Sequence, residues 1–149
     1  MNGERDDTRS TDDSHGAPID FDRLSVVEKR LATDNRFTGI ETQPEFAPDR
    51  IVCHYDLGFY PRRVQGARLE TVWFENGDFS LHYHEEHEDG VFDHRWDRHP
   101  SDHNTRDHVH PGPDAPTPGD DASYPVEWRD VLSMVLGEID NRQRAFWTG

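Results

Sequence analysis

Eight of the ten histidines in this chain fall between His82 and His110, interleaved with Tyr83, Arg95, Trp96, Arg98, Asn104 and Arg106. Imidazole is the side chain whose ordinary pKa lies close to neutrality, so a cluster of this kind can move protons, hold a metal or carry adjustable positive charge. The chemistry of the chain is concentrated there.

Three groups of residues stand out within it. His82, Tyr83 and His84 alternate along an extended segment, which puts the two imidazoles on one face about 7 Å apart, close enough to touch one ligand or phosphate. His87, beside acidic neighbours, reads as a turn residue. In Arg95-Trp96-Asp97-Arg98-His99-Pro100, Arg95 and Asp97 share a face, so the carboxylate can orient the guanidinium for bidentate phosphate binding, a geometry that lysine lacks. Trp96 points the other way, into a core. In His103-Asn104 and Asp107-His108-Val109-His110-Pro111, His108 and His110 again share a face, and Asp107 is placed to fix a tautomer from next door.

Two chemistries fit these groups. Zinc is one, because histidines with carboxylates nearby satisfy its ligand preferences, but the spacing lacks an H-E-x-x-H or CxxC partner. Metal-free cleavage of RNA needs less: a neutral imidazole removes the 2′-hydroxyl proton, a protonated one delivers a proton to the leaving 5′-oxygen, and a guanidinium stabilises the charge on phosphorus. Histidines with different neighbours can hold the two protonation states at one pH. His108 and His110 are the acid and base candidates, Arg95 the phosphate clamp and Asp97 its orienting partner. His82, Tyr83, His84, Arg98, His103 and Asn104 are the candidates for holding substrate, with Tyr83 or Asn104 as a base contact. From the residues alone, a non-catalytic interaction module or a histidine-cluster metal protein stays open beside the nuclease.

The elements that must position these groups follow from periodicity. Residues 1–19 are polar and acidic without repeat, which predicts a disordered tail. Phe21, Leu24, Val27 and Leu31 recur at helical spacing and predict a helix over 20–33, with Ser25 and Glu28 offering an alternative capping box. Gly39 to Asp49, containing Pro44 and Pro48, reads as a linker. Then comes an antiparallel meander: Arg50–Tyr55, Arg68–Glu75, a strand from Phe79 and Val91–Asp97. Asn76-Gly77 marks a type I′ hairpin, and Glu88-Asp89-Gly90 marks a second turn. Pro100 ends the last strand, and 98–122 reads as a His- and Pro-rich surface loop. Pro125 precedes a final helix whose Val131, Leu132, Val135, Leu136 and Ile139 form a broad apolar face. The expectation is one α+β domain over 20–149: an antiparallel β-meander of about four to five strands packed against an N-terminal and a C-terminal helix.

Composition narrows the setting. The chain has 149 residues, 31 acidic against 16 basic, and a formal net charge of −15, with Lys29 its lone lysine. Acidic, Asp-rich, Lys-poor chains resemble the proteins of extreme halophiles, where carboxylates keep a chain hydrated in molar salt. At about 1 M salt the Debye length is only about 3 Å, so net acidity does not exclude a phosphate polymer; it excludes long-range steering toward one. Contact with RNA must then rest on short-range stacking and hydrogen bonds. Cys53, alone in the apolar run Ile51-Val52-Cys53, reads as a core residue and leaves no internal disulfide. No apolar run spans a membrane and the N-terminus lacks the pattern of a signal peptide, so a cytoplasmic protein is expected.

At the stretches Phe79-Ser80-Leu81-His82-Tyr83-His84, Arg95-Trp96-Asp97-Arg98-His99-Pro100 and Asp107-His108-Val109-His110-Pro111 the chain resembles the TumE-like toxins of toxin–antitoxin systems. The resemblance runs from roughly Arg50 to Asp114 and includes the closing helix. It implies a small α+β ribonuclease toxin held inactive by an antitoxin, typically a DNA-binding protein encoded beside it. By position it implies Arg95, Asp97, His99, His108 and His110 as the functional set. The acidic N-terminal tail and the insertion from Asp102 to Arg106 depart from the pattern.

Overall fold

A computed structural model describes residues 17–44 and 49–148. Among these residues two α-helices, α1 (Phe21–Leu31) and α2 (Trp128–Thr148), accompany seven strands: β1 (Phe37–Gln43), β2 (Arg50–Tyr55), β3 (Val64–Trp73), β4 (Phe79–His87), β5 (Gly90–Arg98), β6 (Asp107–His110) and β7 (Asp120–Asp121). Every strand pairs antiparallel with its neighbour in sequence, so the sheet runs β1 to β7 in order. The α+β meander with a helix on either side of it in sequence is as expected, but the sheet has seven strands rather than four or five.

The additional strands are the ones that carry little apolar signal. The first five residues of the expected linker belong to β1, an edge strand in which Ile40 is flanked by exposed Gly39 and Glu41. Its hydrogen bonds to β2 hold it, and an edge strand needs no second apolar face. Within the expected 98–122 loop, β6 pairs with β5 and β7 pairs with β6. Apart from Val109 their side chains are histidines and aspartates, so alternation of polar types hid the strands. The expected tail also ends earlier: Pro18 accepts a hydrogen bond from Glu75 N at 2.9 Å, and Ile19 bridges to Phe74. The rest of that tail, residues 1–16, lies outside the described residues.

Both helices cover the same face of the sheet. Odd-numbered residues of β4 point to it, and Phe79, Leu81 and Tyr83 join Leu24, Val27, Leu31, Ile51, Cys53, Leu69, Trp96, Val131, Leu132, Val135 and Ile139 in one core. Asp20 caps α1, accepting from Arg23 N at 2.9 Å, in place of the Ser25/Glu28 box. The β3–β4 hairpin forms at Asn76-Gly77, yet Gly77 alone there has positive φ (89°), which excludes a type I′ turn. Phe74 O accepts from Gly77 N and Phe74 N donates to Asp78 O. That closes a three-residue loop whose last position needs glycine.

A buried ionic network joins α2 to β4. Glu85, fully buried on the helix side, accepts two bonds of 2.7 Å from Arg142, one of 2.7 Å from His87 and a short one from Tyr83. Burial opposes charge on Glu85, but these donors outweigh it and hold its pKa below the usual carboxylate range. The network fixes the long helix against the sheet, and among the described residues the opposite face carries no helix.

Candidate active site

The face turned away from α1 and α2 is polar. Across β4, β5 and β6 it presents Ser80, His82 and His84, then Asp93, Arg95 and Asp97, then His108 and His110, because side chains two apart on a strand share a face. Register sets the neighbours: His82 lies opposite Arg95, Arg95 opposite His110, and Asp97 opposite both Ser80 and His108.

Asp97 is the hub. Its side chain is 2% exposed, and Oδ2 accepts from Arg95 Nε at 2.9 Å. The same oxygen lies 3.3 Å from His110 Nε2, 3.7 Å from His99 Nε2 and 3.8 Å from His108 Nε2. The other nitrogen of each ring faces a main-chain carbonyl: Pro116 O for His110 at 2.7 Å, Pro100 O for His99 at 2.7 Å and Thr105 O for His108 at 2.9 Å. Those carbonyls, contributed by the segments on either side of β6, orient all three rings toward one carboxylate.

The fold builds this arrangement with specific devices. Asn104 donates to Gly119 O at 2.8 Å and accepts from Gly119 N at 3.2 Å, clasping the two loops that flank β6. A Cβ at Gly119 would meet Val109 O at 2.2 Å and His110 Nδ1 at 2.9 Å, so only glycine allows the loop this close. Asp107 does not fix a tautomer: neighbours on a strand point to opposite faces, and its carboxylate binds Arg98 at 2.6 and 3.1 Å on the far side. The main chain takes the role assigned to it.

The electrostatics of the cluster are uneven. Burial resists ionisation of Asp97, but the histidines and Arg95 hold its carboxyl far below the usual range. His99 is raised: burial pushes it down, and bonds to Asp97 and Pro100 O overcome that. His108 is lowered, because burial and the neighbouring rings outweigh Thr105 O and Asp97. The two rings sit edge to face with centroids 4.7 Å apart. Such a pair, pushed apart in pKa while in contact, is a physical basis for dividing acid and base roles.

All five residues of the expected functional set, Arg95, Asp97, His99, His108 and His110, therefore meet at one carboxylate. The expected substrate-holding residues divide. His82 and His84 lie on the same face, where Asp93 Oδ1 accepts from both at 2.7 and 2.6 Å. Tyr83 is 1% exposed on the helix side, its hydroxyl 2.7 Å from that of Tyr60, and Arg98 is also on that side, stacked 5.0 Å over Phe79. His103 is exposed in the loop before β6, and the Asn104 amide is engaged by Gly119 and Asp121. Two groups among the described residues bring three donor atoms within 4.8 Å of one another, His82/His84/Asp93 and Asp97/His99/His108. In the second, Asp97 Oδ2 also accepts from the Arg95 guanidinium.

A search among curated proteins finds no match, and a search among solved structures finds none. The family model described as Toxin TumE matches residues 25–143, a span that contains most of α1, the whole sheet, the Asp97 cluster and most of α2. The chain belongs to the TumE family of toxins, components of toxin–antitoxin systems, which implies a cognate antitoxin as its partner.

Proposed function

We propose that this toxin is a metal-independent ribonuclease whose Asp97-centred cluster grips one phosphodiester. The observation that carries the reading is the meeting of three imidazoles and a guanidinium on a single buried carboxylate. His108, neutral, takes the proton from the ribose 2′-hydroxyl as that oxygen attacks phosphorus. His99, protonated, gives its proton to the departing 5′-oxygen. Arg95 faces the non-bridging oxygens, where charge accumulates in the transition state, and His110 helps Asp97 hold the group in place.

Exposure dictates how substrate enters. The Arg95 side chain is 27% exposed and that of His99 12%, whereas His108 is 2% exposed. Arg95 makes first contact with the phosphate, and His99 is the next ring it meets. His82 and His84, next to Arg95, extend the same face along the RNA.

The setting is a cytoplasm of molar salt, as the Asp-rich composition supports, and the restraining partner is a DNA-binding antitoxin. None of the described helices is long and apolar enough to cross a membrane. Expression of the chain should arrest growth, and co-expression of the adjacent gene should relieve it. Purified protein in molar potassium chloride with excess chelator should cleave RNA, and His99→Ala should not. Growth arrest without RNA cleavage, or cleavage abolished by the chelator, contradicts the reading.

A further inference from the structure

His82, His84 and Asp93 form a second cluster on the open face, one that takes no part in the proton transfers assigned to the Asp97 group. His84 and Asp93 are directly opposite each other on β4 and β5, with His82 two residues along. The rings of the two histidines are 6.2 Å apart and tilted by 73°, so that His82 Nε2 and His84 Nδ1 both reach Asp93 Oδ1. Side-chain exposures of 34%, 14% and 24% leave the group open to solvent on one side.

We propose that His82 Nε2, His84 Nδ1 and Asp93 Oδ1 bind a divalent first-row transition cation, with zinc the best match, leaving one position for water. Two imidazoles and a carboxylate are ligands that zinc and its neighbours accept. Bond lengths of about 2.0–2.2 Å to a tetrahedral ion place ligand atoms roughly 3.3–3.5 Å apart. The present contacts of 2.7 and 2.6 Å to Asp93 thus open by a fraction of an ångström as the ion replaces the shared protons.

The surroundings point the same way. His84 Nε2, the nitrogen not aimed at the site, lies 3.6 Å from Glu86 Oε2, the kind of outer carboxylate that orients a ligating imidazole. Arg68 and Arg95 lie opposite His84 and His82 in the sheet, but each guanidinium is turned onto its own neighbour, Glu70 and Asp97, at 2.9 Å. Glu70, also opposite His82, adds negative charge. The ligands stand on two interior strands of the sheet, so little ordering is needed to bring them together.

The test is direct binding of Zn²⁺ to the full chain by calorimetry, with Co²⁺ absorption reporting coordination geometry. One ion per chain is expected. His84→Ala and Asp93→Asn should weaken binding at least 10-fold, and Glu86→Gln roughly 10-fold through loss of ring orientation. The more exposed His82→Gln supplies the same readout if Asp93→Asn does not fold. His99→Ala, in the neighbouring cluster, should bind as the parent does. No uptake by the parent, equal uptake by the triad variants, or uptake lost in His99→Ala would each overturn the assignment. RNA cleavage by the same preparations is scored separately, since the proton transfers need no ion.

Discussion

The rings of His99 and His108 touch edge to face at 4.7 Å and are driven in opposite directions, His99 toward the imidazolium and His108 toward the neutral ring. Cleavage that uses them as acid and base should follow a bell-shaped pH profile. Its rising limb, set by deprotonation of His108, should fall below the ordinary histidine value of 6.5, and its falling limb, set by loss of the His99 proton, above it. Asp97→Asn removes a charge that raises both rings, so the whole bell should move to lower pH. Rates measured across pH on parent and variant check this.

Arg95 is the cluster member most open to solvent and, in the proposed mechanism, the one that meets charge on phosphorus. Arg95→Ala should lower the single-turnover rate by about 10²–10³, as loss of one transition-state donor does. Arg95→Lys should recover only part of that, because a lysine cannot bond Asp97 and a phosphate as a guanidinium does. Quench-flow cleavage of a labelled RNA at saturating protein gives the comparison.

Glu85 and Arg142 are 57 residues apart in sequence and joined by two bonds of 2.7 Å beneath α2. Arg142→Ala leaves a buried carboxylate without its cation and should cost about 3–5 kcal/mol in denaturant unfolding at neutral pH. Because the folded-state pKa of Glu85 is depressed, its contribution is present above the unfolded value of about 4.3 and is lost as pH falls through the folded value. The penalty of the substitution should therefore shrink in acid. A constant penalty down to strongly acidic pH would contradict the ionic account.

Cys53 is fully buried, and burial pushes its thiol up to about 12. A disulfide reagent should fail to modify the native chain at mildly alkaline pH and react promptly once denaturant unfolds it.

Much of the site was legible because strands have a period of two. His82 with His84, Arg95 with Asp97, and His108 with His110 each pair across a single intervening residue, and the structure keeps each pair on one face. The period also reveals the misreading of Asp107, which as the neighbour of His108 had to point away. Other features had no local signal. β1, β6 and β7 alternate polar residues with few apolar ones, so their existence depends on partners elsewhere in the chain. The carbonyls of Thr105 and Pro116 that orient the rings belong to the main chain, which composition cannot show. The bond between Glu85 and Arg142 depends on where α2 docks, a tertiary outcome. The same period places Tyr83 with Phe79 and Leu81 on the covered face, which rules out its expected role as a base contact.

The central claim is that the Asp97 cluster cleaves RNA through the ribose 2′-oxygen without a metal. Mass analysis of the 3′ ends released from a defined RNA, in molar salt with chelator, tests it most directly. The account predicts 2′,3′-cyclic phosphate ends and no cleavage where a 2′-deoxy nucleotide replaces the one at the scissile bond. Ends bearing a free 3′-hydroxyl, or unimpaired cleavage at the deoxy position, would contradict it.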